Sequence, residues 1–256
     1  MSTFLSAEWR ALLMLNYAVD PGLLTPLLPR GVVLDTHDDT CWVSIVAFMF
    51  LDTRVKGIAV PGHRNFEELN LRFYVRRDVP DTARGVDHRR GVAFVKEVVP
   101  RVAIATVARL LYNENYVSMP MRHQLSRGDM PLDPRQGLEA GDRVSYGFQS
   151  ATSEWGSVSA RVKGPPEPLE HGTHAHFIAE HYWGYARQKN GGTVEYEVHH
   201  PPWQVHSVED ARIEGDLVEL YGTALGAALS GPPQTAFLAV GSAVEVGDGT
   251  SLPMPD

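Results

Sequence analysis

The run Cys41–Leu51 is apolar on both of its alternating faces. A strand of that kind must be covered on both sides, so it cannot lie at a surface. Glu68–Arg76 reads differently. Glu68, Asn70, Arg72, Tyr74 and Arg76 share one face, and Leu69, Leu71, Phe73 and Val75 share the other. A chain holding both kinds of strand needs a thick β architecture with at least one wall that is polar on one side.

The remaining pattern is of short strand-like runs separated by Gly/Pro turns, with few helices. Arg10–Val19 reads as the first strand. Asp20-Pro21 opens a short helix, with Asp as N-cap and Pro at the first helical position, and Pro29-Arg30-Gly31 closes it. Val32–Thr36 and Gly91–Val99 are strand-like, and Val102–Leu111 reads as a short helix that would pack on a sheet. Gly128–Asp142 is a long loop. Asp142–Ser150 and Glu154–Lys163 form an antiparallel pair joined onward by the stiff Pro165–Pro168. Thr173 caps a helix expected to run to about Arg187. Strands are expected at Thr193–His199, Trp203–His206, Leu217–Gly222 and Thr235–Glu245, and 246–256 should be a loose tail. The expectation is one α+β domain over 1–256, mainly antiparallel β, with a barrel as one possible form.

Net charge is −8, which argues against a nucleic-acid or anionic-membrane partner. No stretch approaches the ~20 apolar residues of a membrane span, and Ala11–Val19 with its flanks is a poor signal peptide. A cytoplasmic location is expected. The single cysteine, Cys41, reads as a buried inert thiol rather than a nucleophile. There are four lysines, Lys56, Lys96, Lys163 and Lys189, so any amine chemistry must use one of them.

The order of several segments is recognisable. Glu8-Trp9-Arg10 through Leu15-Asn16-Tyr17, Asp20, Leu24 and Pro29 resembles the amino-terminal part of acetoacetate decarboxylase. So do the strand ending in Asp52-Thr53, the Pro100 turn, and Phe237-Leu238-Ala239 through Val244-Glu245-Val246. The runs from Arg64-Asn65-Phe66 to Leu71-Arg72, Arg109-Leu110-Leu111-Tyr112 and His200-Pro201-Pro202-Trp203 look like the YqjF-like family, a domain of unknown function in the same superfamily. The resemblance spans nearly the whole chain. It implies an acetoacetate-decarboxylase-like barrel with an internal, partly polar cavity and few short helices, commonly in a homo-oligomer.

It also implies altered chemistry. The decarboxylase uses a lysine with a lowered pKa to form a Schiff base. The alignment puts Arg101 and Val102 where that lysine and its neighbour would stand, and an arginine stays protonated. The family's carboxylate on the strand matching Trp42–Phe48 is also missing. Its amino-terminal arginine maps onto Arg10, and its loop glutamate onto Glu67 or Glu68.

Candidate residues follow from both lines. Arg10 could clamp a carboxylate or serve a structural ion pair. Glu68, Asn70, Arg72 and Tyr74 could line a cavity or form a solvated outer face. Lys96 and Glu97 interrupt an apolar strand and point to opposite faces. Lys96 is the lysine to consider for amine chemistry, and Glu68 or Glu97 the acid/base. Arg101 could bind an anion, and His200 could face the cavity. His171, His174, His176, Glu180 and His181 crowd one segment, but they lack H-E-x-x-H spacing and a distant third ligand, so a solvated helix start is favoured over zinc. The expected function is binding of a small carboxylate or hydrophobic molecule, without cofactor or metal. A lyase, hydratase or aldolase using Lys96, a zinc enzyme using those histidines, and a non-catalytic sensor or structural oligomer are the alternatives.

Overall fold

The computed structural model describes residues 3–59, 62–81, 85–100, 115–152 and 154–253. Among them are sixteen strands: β1 (Thr3–Val19), β2 (Val33–Leu34), β3 (Cys41–Val55), β4 (Ile58–Ala59), β5 (Phe66–Asp81), β6 (Gly85–Val99), β7 (Tyr116–Ser118), β8 (Met121–Arg127), β9 (Met130–Pro131), β10 (Arg143–Gln149), β11 (Trp155–Pro168), β12 (Trp183–Arg187), β13 (Thr193–His199), β14 (Gln204–Glu214), β15 (Thr235–Gly247) and β16 (Thr250–Ser251). The helices are short: Pro21–Leu24, His174–Ala179, Leu217–Tyr221 and Thr223–Ala228. Val102–Leu111 lies outside the described residues, as do Arg101 and Arg109.

Strand pairing closes on itself. The order β13-β12-β6-β5-β3-β1-β15 is completed by pairing of β15 with β13, giving a ring of seven strands. A second sheet, β14-β11-β10-β8-β9, continues from β15. Two narrow seams shut the ring. β12 meets β6 in parallel through Trp183↔Gly91 and Gly184↔Val92, and β13 meets β15 through Val198↔Val246 and His199↔Glu245. The first seam requires glycine on both sides. A Cβ on Gly91 would stand 2.4 Å from the Trp183 carbonyl oxygen, and one on Gly184 would stand 2.1 Å from the Tyr196 ring.

The doubly apolar strand β3 explains the layering. Ile45, Ala47 and Met49 face outward with Leu13, Leu15, Leu69, Leu71 and Phe73, against Tyr146, Phe148 and Val158 of the second sheet and Leu217, Leu220 and Leu225. Val46, Phe48 and Phe50 face into the ring with Leu12, Met14 and Phe66. Cys41 is buried, and burial raises its thiol pKa.

Several boundaries differ from expectation. The helix capped by Thr173 stops at Ala179, and Trp183–Arg187 is strand β12. Leu217–Tyr221 is a helix, not a strand, because the Asp216 side chain accepts from Glu219 N at 2.8 Å and caps it. The tail is tied down as far as β16, which pairs with β13, and Leu252 N donates to Thr193 O.

Candidate functional site

All seven ring strands contribute side chains to an internal cavity of about 180 Å³. Strand register sets out its walls in rows. Trp9↔Phe50 and Phe50↔Phe66 put three aromatics side by side. Phe50 and Phe66 stack at 4.7 Å, and Trp9 meets Phe48 edge-on at 5.4 Å. Along the same face of β5 come Glu68, Asn70 and Arg72, with Glu97 directly across from Asn70. The Glu68, Asn70 and Arg72 part of the polar face of β5 is therefore turned inward between the aromatic walls, while Arg76 at its far end is partly exposed and paired with Asp78.

The polar groups are partly joined. Asn70 Nδ2 donates to Glu68 Oε1 at 2.9 Å, and Tyr116 Oη donates to Glu68 Oε2 at 3.4 Å. One Arg72 nitrogen donates to the Ile178 carbonyl at 3.1 Å. Asn70 Oδ1, Arg72 Nε and Trp9 Nε1 are buried without a hydrogen-bond partner. His181 also lines the cavity, and both its ring nitrogens are buried and unpartnered. Its Nε2 lies 3.7 Å from Asp35 Oδ2, too long for a hydrogen bond. Burial pushes the His181 pKa down to about 4, so the ring is neutral at pH 7. Burial alone would raise the Asp35 pKa, but nearby His181 and Arg90, the latter at 2.6 Å, outweigh it and leave the pKa lowered.

Tyr74 continues the β5 row beyond the cavity. Its hydroxyl lies 2.6 Å from Ser44 Oγ, which donates to Asn16 Oδ1 at 2.7 Å, and its ring packs on Phe177 and His181. This network anchors the wall rather than lining the cavity.

The structure separates other candidates. Glu97 is buried and faces the cavity. Lys96 points outward, where its ammonium donates to the Leu220 carbonyl and burial lowers its pKa against the opposing pull of Glu219. Glu68 faces inward and Glu67 outward, where it meets His123 at 2.6 Å. Arg10 is away from the cavity, paired with Glu8 at 2.9 Å in a cluster with Arg135, Asp52 and Arg64. A positive φ of 52° at Ala11 sits at a register shift in β1, so Trp9 and Leu12 face inward while Arg10 does not. His200 stacks on Trp203 at 4.0 Å and is not among the lining residues.

The histidine-rich segment disperses. His171 packs on His176, His174 on Trp42, and His181 turns into the ring. Among the described residues no three His, Cys, Asp or Glu side chains are grouped to hold a metal. Sequence reading treated His181 as one of a crowd and did not single out Trp9, Trp183 or Tyr116. Trp9 carried a usable signal, because it alternates with Arg10 at the start of an apolar strand.

All four lysines lie in described residues, and none lines the cavity; Lys56, Lys163 and Lys189 are exposed. Borohydride treatment with acetoacetate is therefore expected to give no single stoichiometric lysine adduct by peptide mass spectrometry. A stoichiometric adduct at Lys96 would overturn this placement.

A closed ring with an aromatic cavity and a polar wall defines a protein of the acetoacetate-decarboxylase-like fold. An acetoacetate decarboxylase-like enzyme from Sphingomonas wittichii RW1 superposes with a TM-score of 0.63 at 15% identity, covering 99% of this chain and 94% of that one. Acetoacetate decarboxylase from Legionella pneumophila superposes with a TM-score of 0.64 at 11% identity, covering 98% and 87%. Sequence narrows the assignment. The DUF2071 family model, described as "Uncharacterized conserved protein (COG2071)", matches residues 6–243, and the chain belongs to that family. The "Uncharacterized protein YqjF" of Bacillus subtilis (strain 168) is 24% identical over 220 residues, 85% of this chain and 81% of the relative. Among the described residues no helix is long and apolar enough to cross a membrane.

Proposed function

We propose that this protein binds a small organic molecule inside the ring, with an apolar body against Trp9, Phe48 and Phe50 and a polar head at Asn70, Arg72 and His181. One observation carries the reading: buried hydrogen-bonding atoms of Asn70, Arg72 and His181 lack partners in an otherwise aromatic cavity. Buried polar atoms are normally satisfied, by protein, water or ligand. A mainly apolar pocket with a few convergent polar groups is the usual form of a small-molecule site. If the ligand is turned over, Glu68 and Glu97 are the groups in place to move a proton. Buried Cys41 suits a cytoplasmic setting, which remains part of the proposal.

Trp9 and Trp183 line the cavity and report its occupancy. A panel of small aromatic and alicyclic alcohols, ketones and acids is expected to include a ligand that alters tryptophan fluorescence and raises Tm. At ~100 times its Kd such a ligand stabilises the fold by about 2.7 kcal/mol. Arg72→Met should weaken that ligand roughly ten- to a hundredfold, the loss of a hydrogen bond to a charged group. A ligand that stabilises wild type and Arg72→Met equally, with unchanged fluorescence, is bound elsewhere and overturns the reading.

A further inference from the structure

We infer that His181, backed by Asp35, moves a proton on the bound molecule, and that this molecule is a ketone or aldehyde with an acidic hydrogen on the carbon beside its carbonyl. The inference rests on the cavity-binding reading above and names the chemistry of that same site.

The first observation is how the imidazole is held. His181 lines the cavity and Asp35 stands behind it, with His181 Nε2 3.7 Å from Asp35 Oδ2. Asp35 is itself fixed. Arg90 Nε donates to its Oδ2 at 2.6 Å, and its backbone N donates to the Tyr74 carbonyl at 3.0 Å. Tyr74 and Phe177 grip the His181 ring, at 4.7 Å and edge-on at 5.3 Å. Hydrogen bonds of catalytic pairs are often long in the empty protein and tighten around a ligand. A ring shift of under about 1 Å brings Nε2–H onto Asp35. That places the proton on Nε2 and leaves the lone pair on Nδ1.

The second observation is what stands beside the ring. A buried histidine with a purely structural role uses its nitrogens, but both of these lack a partner. Arg72 also lines the cavity with a buried, unpartnered Nε. The two side chains meet at the Tyr74 ring, where the Arg72 guanidinium carbon lies 5.7 Å from the centroid. Arg72 is held there by its bond to the Ile178 carbonyl at 3.1 Å. The charged groups that act on His181 are Asp35, Arg90 and Arg72, and burial outweighs the pull of Asp35. The ring is therefore unprotonated at pH 7, as a base must be.

The step follows from this placement. The carbonyl oxygen accepts from Arg72 Nε. His181 Nδ1 takes a proton from the adjacent carbon, the C–H electron pair becomes the C=C bond, and the carbonyl π pair moves to the oxygen beside the guanidinium. Asp35 faces the imidazolium that forms. Return of the proton to the same carbon restores the ketone, so the step balances without a second reactant.

The probes are 2-indanone and phenylacetone, aromatic ketones with acidic benzylic hydrogens. In D2O at neutral pD, proton NMR follows loss of those hydrogens, and tryptophan fluorescence gives Kd. Saturated wild type should exchange deuterium into a probe well above the buffer rate. His181→Gln should lower that rate roughly a hundredfold or more, the ordinary contribution of a general base, with a much smaller change in Kd. Asp35 is a positioning residue, and Asp35→Asn should lower the rate at least about tenfold with Kd unchanged. Circular dichroism checks both folds, and Asp35→Asn carries the test if His181→Gln does not fold. Exchange at the wild-type rate in either variant overturns the assignment; Glu68 and Glu97 are then the competing bases. Probes that bind without exchanging remove the proton-transfer inference and leave the cavity reading standing. The same holds if neither probe binds but another member of the panel above does. If nothing in that panel binds, both fall.

Discussion

Gly91→Ala should destabilise the protein by about 3 kcal/mol or more, at the upper end for a substitution that overfills a packed site. Its Cβ would sit 2.4 Å from the Trp183 carbonyl oxygen, 2.7 Å from the Tyr185 ring and 2.8 Å from Trp183 Cβ. The first of these is backbone and cannot rotate away. Only two residue pairs join β6 to β12, so relief at Gly91 means parting one of the two seams that close the ring. Because Trp183 and Gly184 also line the cavity, ligand binding should weaken together with stability. Urea denaturation of wild type and variant checks the first effect, and ligand-induced tryptophan fluorescence the second. A variant within 1 kcal/mol of wild type, by the ordinary scale of mild substitutions, would mean that the seam is not closed as described.

Acidification should remove stability between about pH 6.5 and pH 4, before most carboxylates titrate. Burial lowers the His181 pKa from 6.5 to about 4, and that of His174, through burial and then His37, to about 4. In this interval the unfolded chain binds protons that the folded chain refuses. Stability supplied by the neutral rings is thus fully present above the unfolded value and lost as pH falls toward the folded value. For fully buried His181 the loss is roughly 3 kcal/mol by pH 4, at ~1.4 kcal/mol per pKa unit. The lowered Asp35 pKa acts in the same direction at lower pH. Urea curves at pH 7 and pH 4.5 should show His181→Gln losing markedly less stability than wild type across the interval, His174 accounting for the remainder. Equal losses would remove His181 as a source.

Much of the ring could be read from local pattern. The alternation of Glu68–Arg76 and the doubly apolar Cys41–Leu51 gave the two faces of its wall, because strand periodicity is local. The Asp20 cap was equally plain and is formed, with Gly22 N 2.6 Å from Asp20 Oδ1. What failed to show was non-local or hung on one residue. Trp183–Arg187 is a strand because β6 and β13 flank it; β13 follows it as a hairpin partner, but β6 lies far earlier in the chain. A register shift beside Ala11 moves Arg10 to the opposite side from the one the resemblance implied. Lys96 and Glu97 were legible as opposites, but not which of them faced in; an unpaired Val95 between the Leu71↔Lys96 and Arg72↔Phe94 pairs lets Phe94 and Glu97 face the same way. His181 entered the site through the end of a helix that stops earlier than its cap and composition suggested.

The ring joins the earliest strand to one of the latest, from Thr3↔Gly247 to Asn16↔Thr235. At ribosomal speed, on the order of 10–40 s separate the synthesis of those partners. The meander β1-β3-β5-β6 can assemble while the rest is still being made, but one edge of β1 then waits, with its backbone groups open and Leu12 and Met14 uncovered. Such an edge is a template for foreign strands. The nascent chain thus has a window of vulnerability set by topology rather than by final stability, and contacts of this sequence separation make for slow folding. Faster translation of the second half, or a chaperone that covers β1 in the interval, would raise the yield of native protein without changing any contact within it.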